Sequence, residues 1–243
     1  PQAYIPVRVI SGPDMGTYDL DNPNDIYEAA DGKVYIADTG NNRIIILDSE
    51  LKYIDEIKEF DNNGVKDALV NPYGVFVTKE NSIYIADTDN NRIVVLNSNH
   101  QLVKIIEKPQ TPLLSDNFEY KPLKVGVDYA GRVFVVCKNV NDGMIEFDPQ
   151  GNFIGFFGTV KVSQNIADAF WKLIATEEQR KRMELTVPTE YSSLDVDDDG
   201  FVYGTVSAVD VKNLDSTMFI HKLNPMGNDI LKREGNFAPM GDV

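Results

Sequence analysis

The chain of 243 residues contains one cysteine, Cys137, two histidines and one tryptophan. A single thiol excludes an intrachain disulfide and a cysteine-cluster zinc site, and two histidines exclude a three-histidine metal centre. Basic residues are scarce: 23 Lys and Arg against 38 Asp and Glu leave a formal charge of −15. That balance repels phosphate backbones and anionic bilayers, so nucleic acid is not an expected partner. No apolar run approaches the ~18 residues of a spanning helix, so no membrane insertion of this segment is expected. The opening PQAYIPV has neither a basic start nor an apolar signal core. No G-x-S-x-G nucleophile elbow occurs.

What the chain does have is a repeat. YIADTGNNRIIIL begins at Tyr35 and YIADTDNNRIVVL at Tyr84, 49 residues later. The match extends back to Asn22-Pro23 and Asn71-Pro72. A weaker third copy starts at Lys121 and a fourth at Pro188. Each unit reads as four short strands with two turn columns. The first column is Asp31-Gly32, Glu80-Asn81, Ala130-Gly131 and Asp199-Gly200; the second is Asp48-Ser49, Asn97-Ser98, Asp148-Pro149 and Asn224-Pro225. Gly and Asn tolerate the positive φ of tight turns, and Asp or Asn opens type I turns.

Strand three is apolar throughout, as Ile44–Leu47 and Ile93–Leu96. A strand covered on one face alternates, whereas an unbroken apolar run implies cover on both faces. Four-stranded antiparallel sheets stacked at a period near 50 describe an all-β fold, a β-propeller. The expectation is one propeller domain over 1–243, whole or part of a larger ring, interrupted by a helical insertion at 159–187. There Ile166, Phe170, Leu173 and Ile174 form one apolar stripe.

The unit N-P-x-[DG]-[IV] … Y-I-A-D-T-x-N-N-R-I resembles the NHL repeat, closely at 22–47 and 71–96 and in pattern only in the other two copies. The resemblance implies propeller blades, commonly six to a ring, that mostly act as recognition surfaces. Related propellers include amidating lyases and calcium-dependent lactonases. Within the motif, Asp38 with Arg43 and Asp87 with Arg92 are expected to be structural ion pairs. The third copy has Cys137 and Gly143 in those columns, and the fourth has Val206 and no matching Arg. A partly buried charge needs its partner, so the two are kept or lost together.

Residues 4–11 read as an extra fourth strand ahead of four complete units. Three arrangements follow: part of a six-bladed ring, a compact four-bladed ring with a redundant strand, or closure through a second chain. Irregular loops at 108–121 and 207–216, with the insertion, gather on the face at the channel mouth. Binding residues are expected there: Asn24, Asp25, Tyr73, Lys124, Trp171, Glu190 and Tyr191. DVDDDG from Asp195 opens like an EF-hand loop, but position twelve is Val206, and the repeat explains it as a hairpin turn. The expected function is a non-enzymatic scaffold for a protein, peptide or glycan. The alternative is a metal-assisted hydrolase or lyase, lactonase-like, at the channel mouth. No catalytic residue, metal site or cofactor is assigned, calcium being the ion left open. Acidity and unpaired cysteine suit a secreted or surface bacterial protein.

Overall fold

Strand three of the first two repeats is shielded along its whole length. Ile44–Leu47 are at most 3% exposed and Ile93–Leu96 at most 1%. The cover comes from neighbouring sheets and, over Ile45 and Leu47, from Ile10, Met15 and Leu20. The computed structural model describes residues 8–114, 117–140, 142–158, 190–206 and 220–231.

The first sheet holds β1 (Pro23–Glu28), β2 (Val34–Asp38), β3 (Arg43–Leu47) and β4 (Tyr53–Ile57) in sequence order. A two-stranded ribbon follows, β5 (Glu59–Asn62) and β6 (Val65–Ala68). The second sheet is β7 (Pro72–Val77), β8 (Ile83–Asp87), β9 (Arg92–Leu96) and β10 (Leu102–Ile106). The third is β11 (Pro122–Val127), β12 (Val133–Cys137), β13 (Met144–Phe147) and β14 (Phe153–Phe157). The fourth, among the described residues, is β15 (Tyr191–Val196), β16 (Val202–Val206) and β17 (Ile220–Leu223). All pairings are antiparallel, and the four sheets are arranged as four blades of a β-propeller. Inner strands pack in series: β1 on β7, β7 on β11, β11 on β15.

Both turn columns form as expected. Asp48, Asp148, Asn97 and Asn224 each accept two backbone N–H groups of their own turn through Oδ1. Asp128 and Asp197 do the same in the first column, which accounts for DVDDDG as a turn. The residue two or three places on takes positive φ: Gly32, Asn81, Gly131 and Gly200 in one column, Leu51, His100, Gly151 and Gly227 in the other.

Three readings need amendment. Arg8–Ile10 form no strand, and residues 4–7 lie outside the described set. Ile10 instead packs on the first blade's outer face, because that face would otherwise leave Ile45 and Leu47 wet. The expected fourth strand of the last blade reduces to a bridge of Leu223 with Asp229 and a hydrogen bond from Ile230 N to Lys222 O. The ribbon β5–β6 was not foreseen. The insertion at 159–187, with Trp171, and the loop at 207–216 lie outside the described residues.

The D-T-x-N-N-R motif is the joint between blades. Asp38 Oδ1 accepts the backbone N–H of Asp21, and Asp87 Oδ1 that of Val70, at 2.7 Å each. The other carboxylate oxygen takes the Arg Nε, at 2.6 Å from Arg43 and 2.8 Å from Arg92, and an Asn amide. The guanidinium then reaches the incoming loop. Arg43 donates to Thr17 Oγ1 and Tyr18 O, and Arg92 bonds Asp67 bidentately at 2.8 Å. The threonine links to the next blade: Thr39 Oγ1 donates to Pro72 O at 2.7 Å, and Thr88 Oγ1 to Pro122 O at 2.6 Å. Carboxylate and guanidinium are so buried that either alone would be an uncompensated charge.

The third blade replaces this network with apolar packing. Cys137 occupies the Asp column, and burial pushes its thiol pKa well up. Tyr120 takes the place of Val70, and its buried hydroxyl has no hydrogen-bond partner among the described residues. Tyr120→Phe removes that polar atom and is expected to raise stability by about 1 kcal/mol in urea denaturation; a loss of similar size contradicts the unpaired state. Thr88→Val keeps the shape but strands the Pro122 carbonyl, and is expected to destabilise by about 1–3 kcal/mol in the same measurement. No change there would mean that the interblade bond contributes nothing.

Candidate functional site

All four inner strands carry a bulge at one equivalent position. The register skips Asn24 in β1, Tyr73 in β7, Leu123 in β11 and Ser192 in β15. A bulged residue is released from the ladder and re-aims its side chain. The residue before the bulge is proline in three blades, Pro23, Pro72 and Pro122, whereas the bulged residue differs in every blade. Adjacent bulges sit close: a Cβ on Gly74 would lie 2.5 Å from the Leu123 carbonyl oxygen, so only glycine fits there.

An ion pair crosses these bulges. Lys124 of the third blade bonds Asp25 Oδ1 of the first at 2.6 Å and also donates to the Asn24 carbonyl at 2.6 Å. Asp25 Oδ2 accepts the Val75 backbone N–H of the second blade at 3.0 Å. Three blades are thereby tied at one carboxylate. A second pair, Lys79–Asp198 at 2.8 Å, joins the second blade to the fourth through their first-column turns. Each pair joins blades two apart in the series, through side chains.

The structure brings together Asn24, Asp25 and Lys124, with Tyr73 in the bulge between them. The Asn24 amide donates to Asn22 O and Thr39 Oγ1. Tyr73 is half-buried. Glu190 stands apart, accepting the Asn139 N–H at 3.3 Å. Tyr191, expected on the open face, is 2% exposed. Its hydroxyl donates to Gly158 O at 2.7 Å, and its ring meets His221 edge-on between the third and fourth blades. It occupies the proline column, facing Val206 as Pro23 faces Asp38, so the strand directs it inward. Leu123 and Ser192 were overlooked. The signal for them was the variable residue after a fixed proline in the repeat alignment. Beside the mouth, Asp89 takes Asn71 Nδ2 at 2.5 Å and Lys121 Nζ at 2.9 Å. These donors lower the Asp89 carboxyl pKa.

Chemically, the mouth presents amide, phenol, hydroxyl and isobutyl groups around a neutralised charge pair. Among the described residues no three metal-ligating side chains cluster, and no helix is long and apolar enough to cross a membrane.

The ion pair between the motif residue Arg92 and Asp67 of the ribbon contributes to stability at neutral pH. Hydrogen bonds from Arg92 hold the Asp67 carboxyl below its ordinary value of 3.8. The folded state therefore binds that proton less readily than the unfolded chain. The stabilisation is present above the ordinary value and is lost as pH falls through the depressed one. Asp67→Asn should accordingly be less stable than wild type at about pH 7 and nearly equal to it at about pH 2. Denaturation curves giving the same deficit at both pH values contradict this.

No family model and no curated protein sequence matches the chain. Solved structures do match in fold. Virginiamycin B lyase from Staphylococcus aureus, an inactive variant with quinupristin, aligns at TM-score 0.53 and 14% identity over 87% of this chain and 56% of its own. Hydrazine synthase from Kuenenia stuttgartiensis aligns at 0.52 and 13%, over 91% and 49%. The extracellular domain of a hybrid two-component system from B. thetaiotaomicron aligns at 0.50 and 16%, over 85% and 23%. The chain spans about half the length of the first solved structures it matches. At such identities the likeness establishes the fold, and the chain is a β-propeller.

Proposed function

We propose that this propeller, with blades of NHL type, is a non-enzymatic scaffold that recognises a protein, peptide or glycan at the mouth formed by Asn24, Tyr73, Leu123 and Ser192. The observation that carries this reading is the occupancy of Asp25. Each of its oxygens is engaged by a neighbouring blade, one by Lys124 and the other by Val75 N–H, which neutralises the carboxylate and fixes its orientation. A carboxylate serving as general base or metal ligand needs a free lone pair directed at substrate or ion. Here it holds three blades together instead. The four bulged side chains, unlike one another and set on a rigid frame, suit recognition, which favours variable groups on fixed supports. An extracellular or cell-surface location belongs to the same proposal, in keeping with the acidic composition; one similar fold is an extracellular domain.

The test is a screen of peptide and glycan arrays with the full chain, followed by surface plasmon resonance. Tyr73→Ala and Leu123→Ala are expected to weaken capture by about tenfold or more. Undiminished binding by both variants moves the site away from the mouth. Calcium-dependent turnover of a lactone that is lost in Asp25→Asn would replace the scaffold with a hydrolase.

A further inference from the structure

If the mouth is the recognition site proposed above, its hydrogen-bonding groups decide what it can hold. The Asn24 amide can be oriented from its partners. Thr39 Oγ1 has one hydrogen, and that hydrogen goes to Pro72 O at 2.7 Å. Toward Asn24 this hydroxyl therefore accepts, and the Asn22 carbonyl can only accept. Both lie 2.9 Å from the same amide nitrogen, so Nδ2 faces them with both its hydrogens engaged. The opposite orientation would set an oxygen against two acceptors. Asn24 Oδ1 is thereby left as the outward group, with no partner among the described residues.

A donor stands beside it. Lys124 Nζ carries three hydrogens. One goes to Asp25 Oδ1 and one to the Asn24 carbonyl, each at 2.6 Å, so the ammonium adjoins the residue that presents the oxygen. The third hydrogen remains for a ligand, and the Lys124 side chain is 12% exposed. The Tyr73 hydroxyl also lacks a partner among the described residues. The buried side-chain polar atom without a partner there is the Tyr120 hydroxyl, so solvent reaches both the Asn24 oxygen and the Tyr73 hydroxyl.

These groups fit a hydroxyl of an uncharged sugar. A hydroxyl accepts and donates at once, so it can take the Lys124 hydrogen and give its own to Asn24 Oδ1. In such a chain, from ammonium to hydroxyl to amide oxygen, each bond polarises the next. A carboxylate has no hydrogen for Asn24 Oδ1, and the Lys124 charge that would attract it is balanced by Asp25. A peptide is favoured less, because it docks by adding a strand to a sheet edge or by seating anchor side chains in a pocket. Bulges at Asn24, Tyr73, Leu123 and Ser192 interrupt the ladder of every inner strand at the mouth, and Leu123 is the one aliphatic side chain among the four.

We infer that the mouth binds a neutral glycan, with one sugar hydroxyl seated between Lys124 Nζ and Asn24 Oδ1 and the Tyr73 phenol as a further polar contact.

The probes are the methyl glycosides of glucose, galactose, mannose and N-acetylglucosamine, with N-acetylalanine methylamide as the peptide analogue. Each is titrated into the isotope-labelled full chain and followed by NMR. At least one glycoside is expected to shift the Asn24 side-chain amide and the Tyr73 backbone amide saturably at millimolar concentration. Among its monodeoxy analogues, the one lacking the seated hydroxyl should bind about tenfold more weakly to wild type, and that loss should vanish in Asn24→Ala. If no glycoside shifts either signal, the glycan is overturned. Deoxy losses of equal size in Asn24→Ala and wild type overturn it too. Should Asn24→Ala not fold, the wild-type series decides: the weakened analogue must be the one that leaves the Asn24 side-chain amide unshifted, and any other pattern refutes the seat. Shifts from the peptide analogue alone refute the glycan and leave the mouth as a recognition site. Array capture that survives Tyr73→Ala and Leu123→Ala, with no probe shifting the mouth, removes both.

Discussion

The second and third strands of each early repeat are aliphatic on both faces, and water must be kept from both. This constraint explains the stack. A lone four-stranded sheet with Ile44–Leu47 or Ile93–Leu96 at its centre would leave one face wet, and each buried aliphatic side chain contributes about 1.5–3 kcal/mol. Neighbouring sheets are the cheapest cover, and on the outer face of the first blade Ile10, Met15 and Leu20 supply it among the described residues. Stacking in turn buries the backbone of the crossover loops. The D-T-x-N-N-R motif answers that need, giving each buried loop N–H an Asp oxygen and linking each Thr hydroxyl to the following blade.

Repeated and variable residues separate along the inner strands. Proline precedes the bulge in three blades, as Pro23, Pro72 and Pro122, and Tyr191 in the fourth; the bulged residues carry the variation. Asp25 and Lys124 are charged, and the bonds they make run to other blades. The mouth therefore offers shape and hydrogen bonding more than net charge.

Much of this was legible in the sequence because it is periodic. The unbroken apolar tetrads gave both-face burial, and Gly32, Asn81, Gly131 and Gly200 marked turns that do take positive φ. Asp38–Arg43 and Asp87–Arg92 were identifiable as pairs by their joint loss in the third and fourth copies. Non-periodic features were harder. The Asn63-Gly64 turn of the ribbon β5–β6, with φ of +57 and +85, is a strong hairpin signal that the repeat alignment passed over as spacer. RVIS looks like a strand because it is aliphatic, but its apolar Ile10 serves as cover instead. Tyr191 resembled a surface aromatic, and only its register opposite Val206 turns it inward. Lys124 and Asp25 lie 99 residues apart and meet only through the arrangement of three blades.

Native-state hydrogen exchange tests the both-face burial most directly. The amides of Ile44–Leu47 and Ile93–Leu96 should exchange only on global unfolding, more slowly than those of the outer strands β4 and β10. Exchange of either tetrad through local opening, at the rate of the outer strands, would show a face open to water and contradict the stacked-blade account.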